Sequence, residues 1–416
     1  MRKKVPVIVT AVFIAVIMSS CFDLHEITDV AYIQFIGIDK GTADRWRLTV
    51  SIAAQESGKS DSSGGMAAPA RSKSVTIEAP SFFSAIGLLD TNISRKIDFS
   101  HANLLVFSEN IAKSGMVGEY IAPLVRYHQI RRTLLVAVVR GSAQEFIENI
   151  QPYLGGSVSS EITDLAHGVK GSSYFPSTTL NDFYNAMKST YIQPAVMLGG
   201  LYNQDNIPNP GDGGKDATVT AGSYFAGDIP RKGGNSIEFL GCALFDGDKM
   251  VGKLNGHETR MMLLATGDYD RGILLVQDPE APELVVPFRL KLAQKPSIDV
   301  VFDKGIPVIK LKLSTEGDIY AIQSQINYED PQRAPILENA VKTHLKESLD
   351  KTIEKCRLLG CDVFNFGYAA AKQFPTIEEW ESYNWNKRFK EAKIETYVDF
   401  KIKKTGGMLR SSQIRE

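Results

Sequence analysis

The chain has 416 residues, of which 43% are hydrophobic, and its formal net charge at pH 7 is −1. At roughly 150 residues per domain, this length predicts two or three domains with sizeable cores. A net charge so close to zero argues against a basic nucleic-acid binder. The four cysteines form no CxxC pair, so no disulfide framework is predicted.

The N-terminus has the pattern of an export signal. The basic residues 2–4 precede an apolar segment that runs from Val5 to Met18. As a helix, this segment would span about 21 Å at 1.5 Å per residue, which is short of the ~30 Å hydrocarbon core of a bilayer. Residues 1–20 are therefore predicted to be a signal peptide and not a membrane span.

The residues that close this segment favour a lipid anchor. Met18 would stand at position −3 of a cut after Ser20, where ordinary signal cleavage prefers a small residue. The order of a larger apolar residue, two small ones and Cys21 instead resembles a bacterial lipobox. In that interpretation the Cys21 thiol receives a diacylglyceryl group, the chain is cut before it, and the new amino group is acylated. Two acyl chains suffice for stable anchoring, whereas the alternative is a plain secreted protein with an incidental cysteine.

Residues 21–202 are predicted to form a mixed α/β domain. Alternation of apolar and polar residues from Trp46 to Ile52 indicates a half-buried strand, and the more apolar run 31–38 forms a hairpin with it. A Gly/Ser-rich loop follows from residue 56. The further predicted strands are 74–79, 101–109 and 133–141, and the predicted helices are 82–93, 111–126, 142–150, 159–169 and 179–189. Strands and helices in this order favour a mixed sheet.

Residues 203–280 are predicted to form a middle α+β domain. The stretch 203–222 is rich in Asn, Gly, Asp and Pro, which indicates a domain boundary. Asp246-Gly247 lies between two apolar runs and is a strong hairpin signal. Asn255 and Glu258 have the spacing of a capping box and start a helix. Cys242 lies among apolar neighbours in the first run, so we expect a buried, unreactive thiol.

Residues 281–416 are predicted to form an α+β domain. The strands 283–293, 297–303 and 306–317 form an antiparallel meander, because short Gly/Pro turns join the last two. A long helix follows, capped by Asp330, with Pro331 at its first position and Gly360 as its stop. A further helix at 377–390 and a final alternating strand at 393–402 complete the domain.

Few residues have the spacing that metal sites or hydrolytic sites require. No two of the six histidines stand at HxH or HxxxH spacing: His25, His101, His128, His167, His257 and His344. The chain has no G-x-S-x-G motif, and GDGGKD at 211–216 lacks the spacing of a phosphate-binding loop. The sequence therefore assigns no catalytic residue, metal ligand or cofactor, although two acidic residues could still meet in space as a general acid–base pair.

Cys356 and Cys361 stand five residues apart around a predicted helix end. They could form a disulfide if the chain reverses at Gly360. The alternative is two partly buried free thiols. A disulfide here would close a very short loop and change stability little.

Several stretches of the chain occur together in one known family. They are EITDVAYIQFIGIDKG, IDFSHANLLVFSENIAKSGM, RYHQIRRTLLVAVVRGSAQEFI, GCALFDGDKMVGKLNGHETR, CDVFNFGYAAAKQFPTIEEWESYNW and VDFKIKKTG, in this order. With the lipobox cysteine before them, the chain resembles the Ger(x)C family, the lipoprotein C subunits of bacterial spore nutrient germinant receptors. The chain departs from the family at Asn365, where the D-x-F-G-F-G turn usually has a glycine. Asparagine tolerates positive φ better than most residues, so we expect the turn to survive.

The resemblance implies three mixed α/β domains, no enzymatic activity and membership of a complex. Its implied partners are two integral membrane subunits, a larger A-type and a transporter-like B-type, and the bilayer itself through acylated Cys21. The implied location is the outer face of the spore's inner membrane. The germinant is expected to bind the B-type subunit, so no ligand pocket is assigned here. The competing interpretations are a solute-binding lipoprotein of an importer and an anchored hydrolase.

Overall fold

The computed structural model describes residues 29–53, 73–151, 173–202 and 222–406, with the single residues 162, 164 and 411. The predicted signal peptide, Cys21, most of the Gly/Ser-rich loop, most of the helix predicted at 159–169 and nearly all of the predicted boundary at 203–222 lie outside these residues. The described chain folds around two β-sheets with helices packed on them. This arrangement confirms the predicted α+β class.

The first sheet is mixed. Its strands are β1 (Val30–Lys40), β2 (Trp46–Ile52), β3 (Lys73–Ala79), β4 (Lys96–Asp98), β5 (Leu104–Ser108), β6 (Leu135–Val139), β7 (Ala195–Leu201), β8 (Ile237–Asp246) and β9 (Lys249–Leu254). Their order is β3-β2-β1-β5-β6-β7-β8-β9, and β4 pairs with the start of β1. Strands β1, β5, β6 and β7 are parallel neighbours and so begin at one edge of the sheet.

The helices on the first sheet begin where the sequence places caps. They are α1 (Phe82–Leu89), α2 (Glu109–Ser114), α3 (Val117–Arg126), α4 (Ala143–Glu148) and α5 (Leu180–Lys188). Ser81 and Thr179 form capping boxes at α1 and α5. The single helix predicted at 111–126 is wrong, because Gly115 adopts the left-handed conformation (φ 72°) and ends α2 before α3 starts.

The second sheet is preceded in the chain by one helix, and a second, long helix packs against its last strand. The elements are α6 (Gly256–Thr266), β10 (Gly272–Gln277), β11 (Val285–Leu292), β12 (Ser297–Asp303), β13 (Ile306–Ile319), α7 (Ala334–Leu359), α8 (Phe366–Ala371), α9 (Ile377–Tyr383), α10 (Trp385–Arg388), a 3₁₀ turn at 389–391 and β14 (Lys393–Lys404). The antiparallel pairs are β10–β11, β11–β13 and β12–β13. The predicted hairpin of the last two strands is confirmed, but the predicted meander is wrong in its order, because β11 pairs with β13 and not with β12. The last strand, β14, runs parallel to β13, and α7 packs against it.

Two helix boundaries differ from their predictions. The long helix begins at Ala334 and not at Pro331, because the Asp330 side chain accepts from the Gln332 amide and holds a separate turn before the helix. The predicted stop at Gly360 is confirmed, with φ 72°. The helix predicted at 377–390 is interrupted at Asn384, whose left-handed backbone (φ 57°) separates α9 from α10.

The two sheets meet at β8, which packs against a different core on each of its faces. Cys242 and Leu244 on this strand join the core of the second sheet, whereas Ala243 and Phe245 on its opposite face join the core of the first. A strand with two buried faces has a continuous apolar sequence, as β8 does. The hairpin at Asp246-Gly247 is confirmed, but its strands extend the first sheet and β10 belongs to the second. The three-domain division at 202 and 280 stays a prediction, since the described residues group into two sheets.

Candidate functional site at the junction of the two sheets

The turn that follows α7 is organised by one buried carboxylate. Asp362 is fully buried, and its Oδ1 accepts hydrogen bonds from the backbone amides of Phe364 (3.1 Å) and Phe366 (3.3 Å). Its Oδ2 accepts from the Gly367 amide (2.6 Å) and from the Trp385 indole nitrogen (2.9 Å). The carboxylate therefore closes the turn into α8 and fastens the start of α10 to it.

The same turn is fastened to the first sheet by Gln193, which precedes β7. The Gln193 side-chain oxygen accepts from the Asp362 amide (2.6 Å), and its own amide donates to the Asp362 carbonyl (3.1 Å). The Gln193 side-chain nitrogen donates to the Asp246 carboxylate at the β8–β9 turn (2.8 Å). Since Gln193 is buried, these bonds form without competition from water. Asp362, Gln193 and Asp246 together are called the junction network below.

Burial and hydrogen bonding act in opposite directions on Asp362. Burial disfavours the charged form and raises the pKa of the Asp362 carboxyl to about 6, while the four donated hydrogen bonds lower it. Burial is the larger effect. The free energy of the junction network therefore depends on pH in the mildly acidic range.

A close approach of two backbones explains the glycine that the turn retains. A Cβ on Gly367 would lie 2.6 Å from the Tyr191 carbonyl oxygen and 2.6 Å from the Trp385 indole nitrogen. Such distances leave no space for a methyl group, so Gly367 lets α8 contact the segment before β7. Asn365, where the family usually has glycine, adopts the left-handed conformation (φ 64°, ψ 23°). The turn is formed with asparagine at position 365, as expected. The close backbone approach to Tyr191 occurs at Gly367 and not at Asn365.

Substitutions at Asn365 should test the requirement for a left-handed backbone apart from the requirement for space. Asn365→Gly should change the free energy of unfolding by less than about 0.5 kcal/mol, whereas Asn365→Ala should lower it by about 1 kcal/mol because alanine fits the left-handed conformation poorly. Equilibrium denaturation in urea would measure both values. Equal stability of the glycine and alanine variants would contradict the assignment of a backbone requirement at this position.

A cavity of about 720 Å³ lies against the junction network. Residues from the segments around both sheets line it, including Phe175, Gln193, Met262, Val363 and Asn365. Three carboxylates also line it: Asp182, Asp268 and Asp270. The size is within the range of small-molecule sites. The lining contains no histidine, cysteine or lysine. Its carboxylates are a residue type that general acid–base pairs use, so this cavity is where the alternative of an anchored hydrolase would place its site.

The structure brings together two histidines that sequence spacing did not connect. The rings of His257 on α6 and His344 on α7 lie 6.0 Å apart. Burial lowers the pKa of His257 to about 4 and also lowers that of His344, so both are neutral at pH 7. No group of three or more histidine, cysteine or acidic side chains within the described ranges could hold a metal ion. The two imidazoles therefore pack between α6 and α7 as neutral rings.

The cysteines that the structure describes are buried and reduced. Cys356 and Cys361 are free thiols with no exposed surface, which settles the open alternative in favour of two unpaired side chains. Cys242 is likewise buried, as predicted, and burial raises its pKa to about 12. Thiols that stay protonated and out of contact with solvent are unreactive at neutral pH. Cys21, the predicted lipidation site, lies outside the described residues.

None of the described helices combines the length and the apolar composition needed to cross a bilayer.

Comparison with known proteins places the chain among spore germination proteins. Residues 23–198 match the family described as spore germination protein N-terminal domain, and residues 240–406 match the spore germination B3/GerAC-like C-terminal family. The first match ends within β7 and the second begins within β8, although both strands belong to the first sheet. The two matches together cover most of the chain.

Individual relatives agree with the family matches. Spore germination protein KC of Bacillus subtilis (strain 168) is 23% identical over 100% of this chain and 98% of its own length. Spore germination protein B3 of the same organism is 20% identical over 94% of this chain and 95% of its own. A crystal structure titled as the GerBC protein has a TM-score of 0.50 and 16% identity, and the match covers 88% of this chain and 96% of that one. At this identity the structural likeness supports the fold alone.

The chain is thus a spore germination protein that contains both the N-terminal and the C-terminal family domain. Its α+β fold has two sheets that are joined through β8 and a buried turn. The chain belongs to the Ger(x)C family.

Proposed function

We propose that this chain is the membrane-anchored lipoprotein subunit, the C subunit, of a nutrient germinant receptor. The observation that carries the proposal is the similarity to spore germination proteins over essentially the whole chain. In this proposal Cys21, bearing S-diacylglyceryl and N-acyl groups, holds the protein on the outer face of the spore's inner membrane. Its partners there are the A-type and B-type integral membrane subunits.

The described part of the chain supports a role in binding proteins over a role in catalysis. Its buried thiols are protonated, and its paired histidines, His257 and His344, are neutral and packed between helices. The junction network uses its polar groups to fasten one part of the chain to another, which leaves them no free capacity for chemistry. We therefore propose that the protein acts through protein–protein surfaces and carries no enzymatic activity.

The alternative of an importer's solute-binding lipoprotein has less structural support. That class closes two lobes around its ligand, which requires a hinge that lets the lobes separate. Here β8 packs against the core of the second sheet on one face and against the core of the first on the other, and the junction network joins the two parts a second time. A joint of this kind favours a rigid body that presents fixed surfaces to its partners.

Affinity purification from spore membranes tests the proposal. We expect a tagged chain, extracted in mild detergent after crosslinking, to elute with two integral membrane proteins in a constant ratio. Untagged spores processed in the same way provide the control. Elution of the tagged chain alone, with and without crosslinking, would contradict its assignment as a receptor subunit.

A further inference from the structure

The position of the predicted anchor identifies which end of the first sheet lies closest to the membrane. Asp29, the first described residue, follows Cys21 by eight residues. A chain of that length reaches at most about 29 Å even when fully extended. The edge at which β1 begins must therefore lie within that distance of the bilayer, if Cys21 carries the acyl chains. This step rests on the proposed anchor.

The loops that precede the parallel strands meet at the same edge. The Tyr32 and His101 rings are 4.4 Å apart, and the Asn103 amide donates to the Gln34 carbonyl (3.0 Å). The Phe99 amide donates to the side-chain oxygen of Gln129 (3.2 Å), which joins the loop before β5 to the loop before β6. A shallow cavity of about 430 Å³ lies among these loops, and Arg131 is part of its rim.

This edge carries an excess of exposed positive charge. The exposed cations on the loops and strand starts of this edge and at the end of α3 are Lys73, Arg95, Lys96, Arg126, Arg131 and Arg132. The acidic groups of the same region are fewer, namely Asp29, Asp90, Asp98 and Asp182, the last of which stands next to the residue that bonds the Arg132 carbonyl. The set of six cations is called the basic edge.

Two members of the basic edge are available for an external partner. Within the described ranges, neither the Arg131 nor the Arg132 guanidinium forms an ion pair or a hydrogen bond with another side chain. The loop that carries them is held in place by its backbone, because the Asn181 amide donates to the Arg132 carbonyl (3.0 Å). The two adjacent arginines can therefore bind an external partner without a rearrangement of the loop that carries them.

We propose that the basic edge docks on the anionic phospholipid headgroups of the bilayer that holds the anchor. Arginine and lysine side chains near an anionic leaflet each contribute roughly a fivefold gain in affinity at ordinary ionic strength. Arginine also binds phosphate groups with two parallel hydrogen bonds. Docking would fix the first sheet upright on the membrane, so the surfaces of the second sheet would face the partner subunits in one orientation.

Vesicle flotation of an unacylated chain tests the docking apart from the anchor. The three core clusters lie between residues 30 and 402, so residues 21–416 carrying Cys21→Ser contain the complete described fold. We expect this protein to float with vesicles of phosphatidylglycerol and phosphatidylcholine in equal parts and not with phosphatidylcholine alone. Arg131→Glu/Arg132→Glu should weaken binding to the anionic vesicles by more than about tenfold.

A charge-matched variant controls for net charge. Lys295→Glu/Lys387→Glu changes the same number of charges at exposed sites of the second sheet's part and should bind the anionic vesicles as the parent does. Unchanged thermal midpoints would show that both variants are folded. Equal binding of the parent to both vesicle types, or equal losses in the two variants, would overturn the proposal. Because every protein in this test lacks Cys21, neither result depends on acylation, which mass spectrometry tests separately.

Discussion

Asp362→Ala should lower the free energy of unfolding by about 3–5 kcal/mol. The substitution removes an acceptor of four hydrogen bonds and leaves their donors, including the Gly367 amide and the Trp385 indole, buried without a partner. Urea denaturation followed by circular dichroism would measure the loss. Asp299→Ala is the matched control, because Asp299 is exposed and pairs only with exposed Lys312, so its removal should cost less than about 1 kcal/mol. A similar small loss at Asp362 would contradict the role given to this carboxylate.

Asp362→Asn should show the pH dependence of the same group. The pKa of the buried carboxyl is raised to about 6 from its usual 3.8, so the folded state binds a proton more tightly than the unfolded state. The unfolding free energy of the parent should therefore fall by at most about 3 kcal/mol as the pH rises from about 4 through 6, relative to the variant, which does not titrate there. The destabilisation caused by asparagine is thus expected to be largest near pH 4. A pH-independent difference between parent and variant would contradict the raised pKa.

Cys21→Ala should abolish lipid labelling and remove most of the nutrient-triggered germination response. Without the thiol no diacylglyceryl group can be attached, and the chain loses the acyl chains on which stable membrane anchoring depends. Radiolabelled fatty acid incorporation and the fall in optical density of spores after nutrient addition would report the two effects. Ser20→Ala is the matched control, because it keeps a small residue before the cysteine and should be labelled as the parent is. Normal acylation of Cys21→Ala would show that the lipid is attached elsewhere.

Local signals in the sequence predicted much of the fold. The Asp246-Gly247 turn, the Asn255–Glu258 capping box and the glycine stop of α7 all depend on residues within a few positions of one another. Such signals are short-range, so they can be read without knowledge of the rest of the chain. The positive φ at Asn365 was expected from the family resemblance, in which glycine usually stands at this position, and not from the local sequence.

Long-range pairings could not be predicted in this way. Strand β14 alternates as an edge strand does, but nothing in its sequence states that it pairs parallel to β13. The membership of β8 in the first sheet depends on β7, across a segment that the composition marks as a boundary. Apolar periodicity continues across Gly115 and Asn384, so the predicted helices extend through both positions, although glycine and asparagine are the residue types that end helices in the left-handed conformation.

The contacts of the junction network could not be predicted from short-range sequence signals. Gln193 and Asp362 are 169 positions apart, and neither belongs to a spaced motif of polar residues. The available signal was the D-x-F-x-F-G stretch itself, in which an acidic residue stands among large apolar ones. A carboxylate in such surroundings must have hydrogen-bond donors when it is buried, and the glycine five positions later supplies one of them.

Mass spectrometry of the native protein extracted from spore membranes tests most directly whether this ectodomain is tethered through one sulfur atom. The expected N-terminal peptide begins at Cys21 and carries the added mass of a diacylglyceryl group and an N-linked acyl chain. A polypeptide that still carries residues 1–20, or one cut at Cys21 with no lipid attached, would contradict the anchor. It would also leave the proposed position of the subunit at the membrane without support.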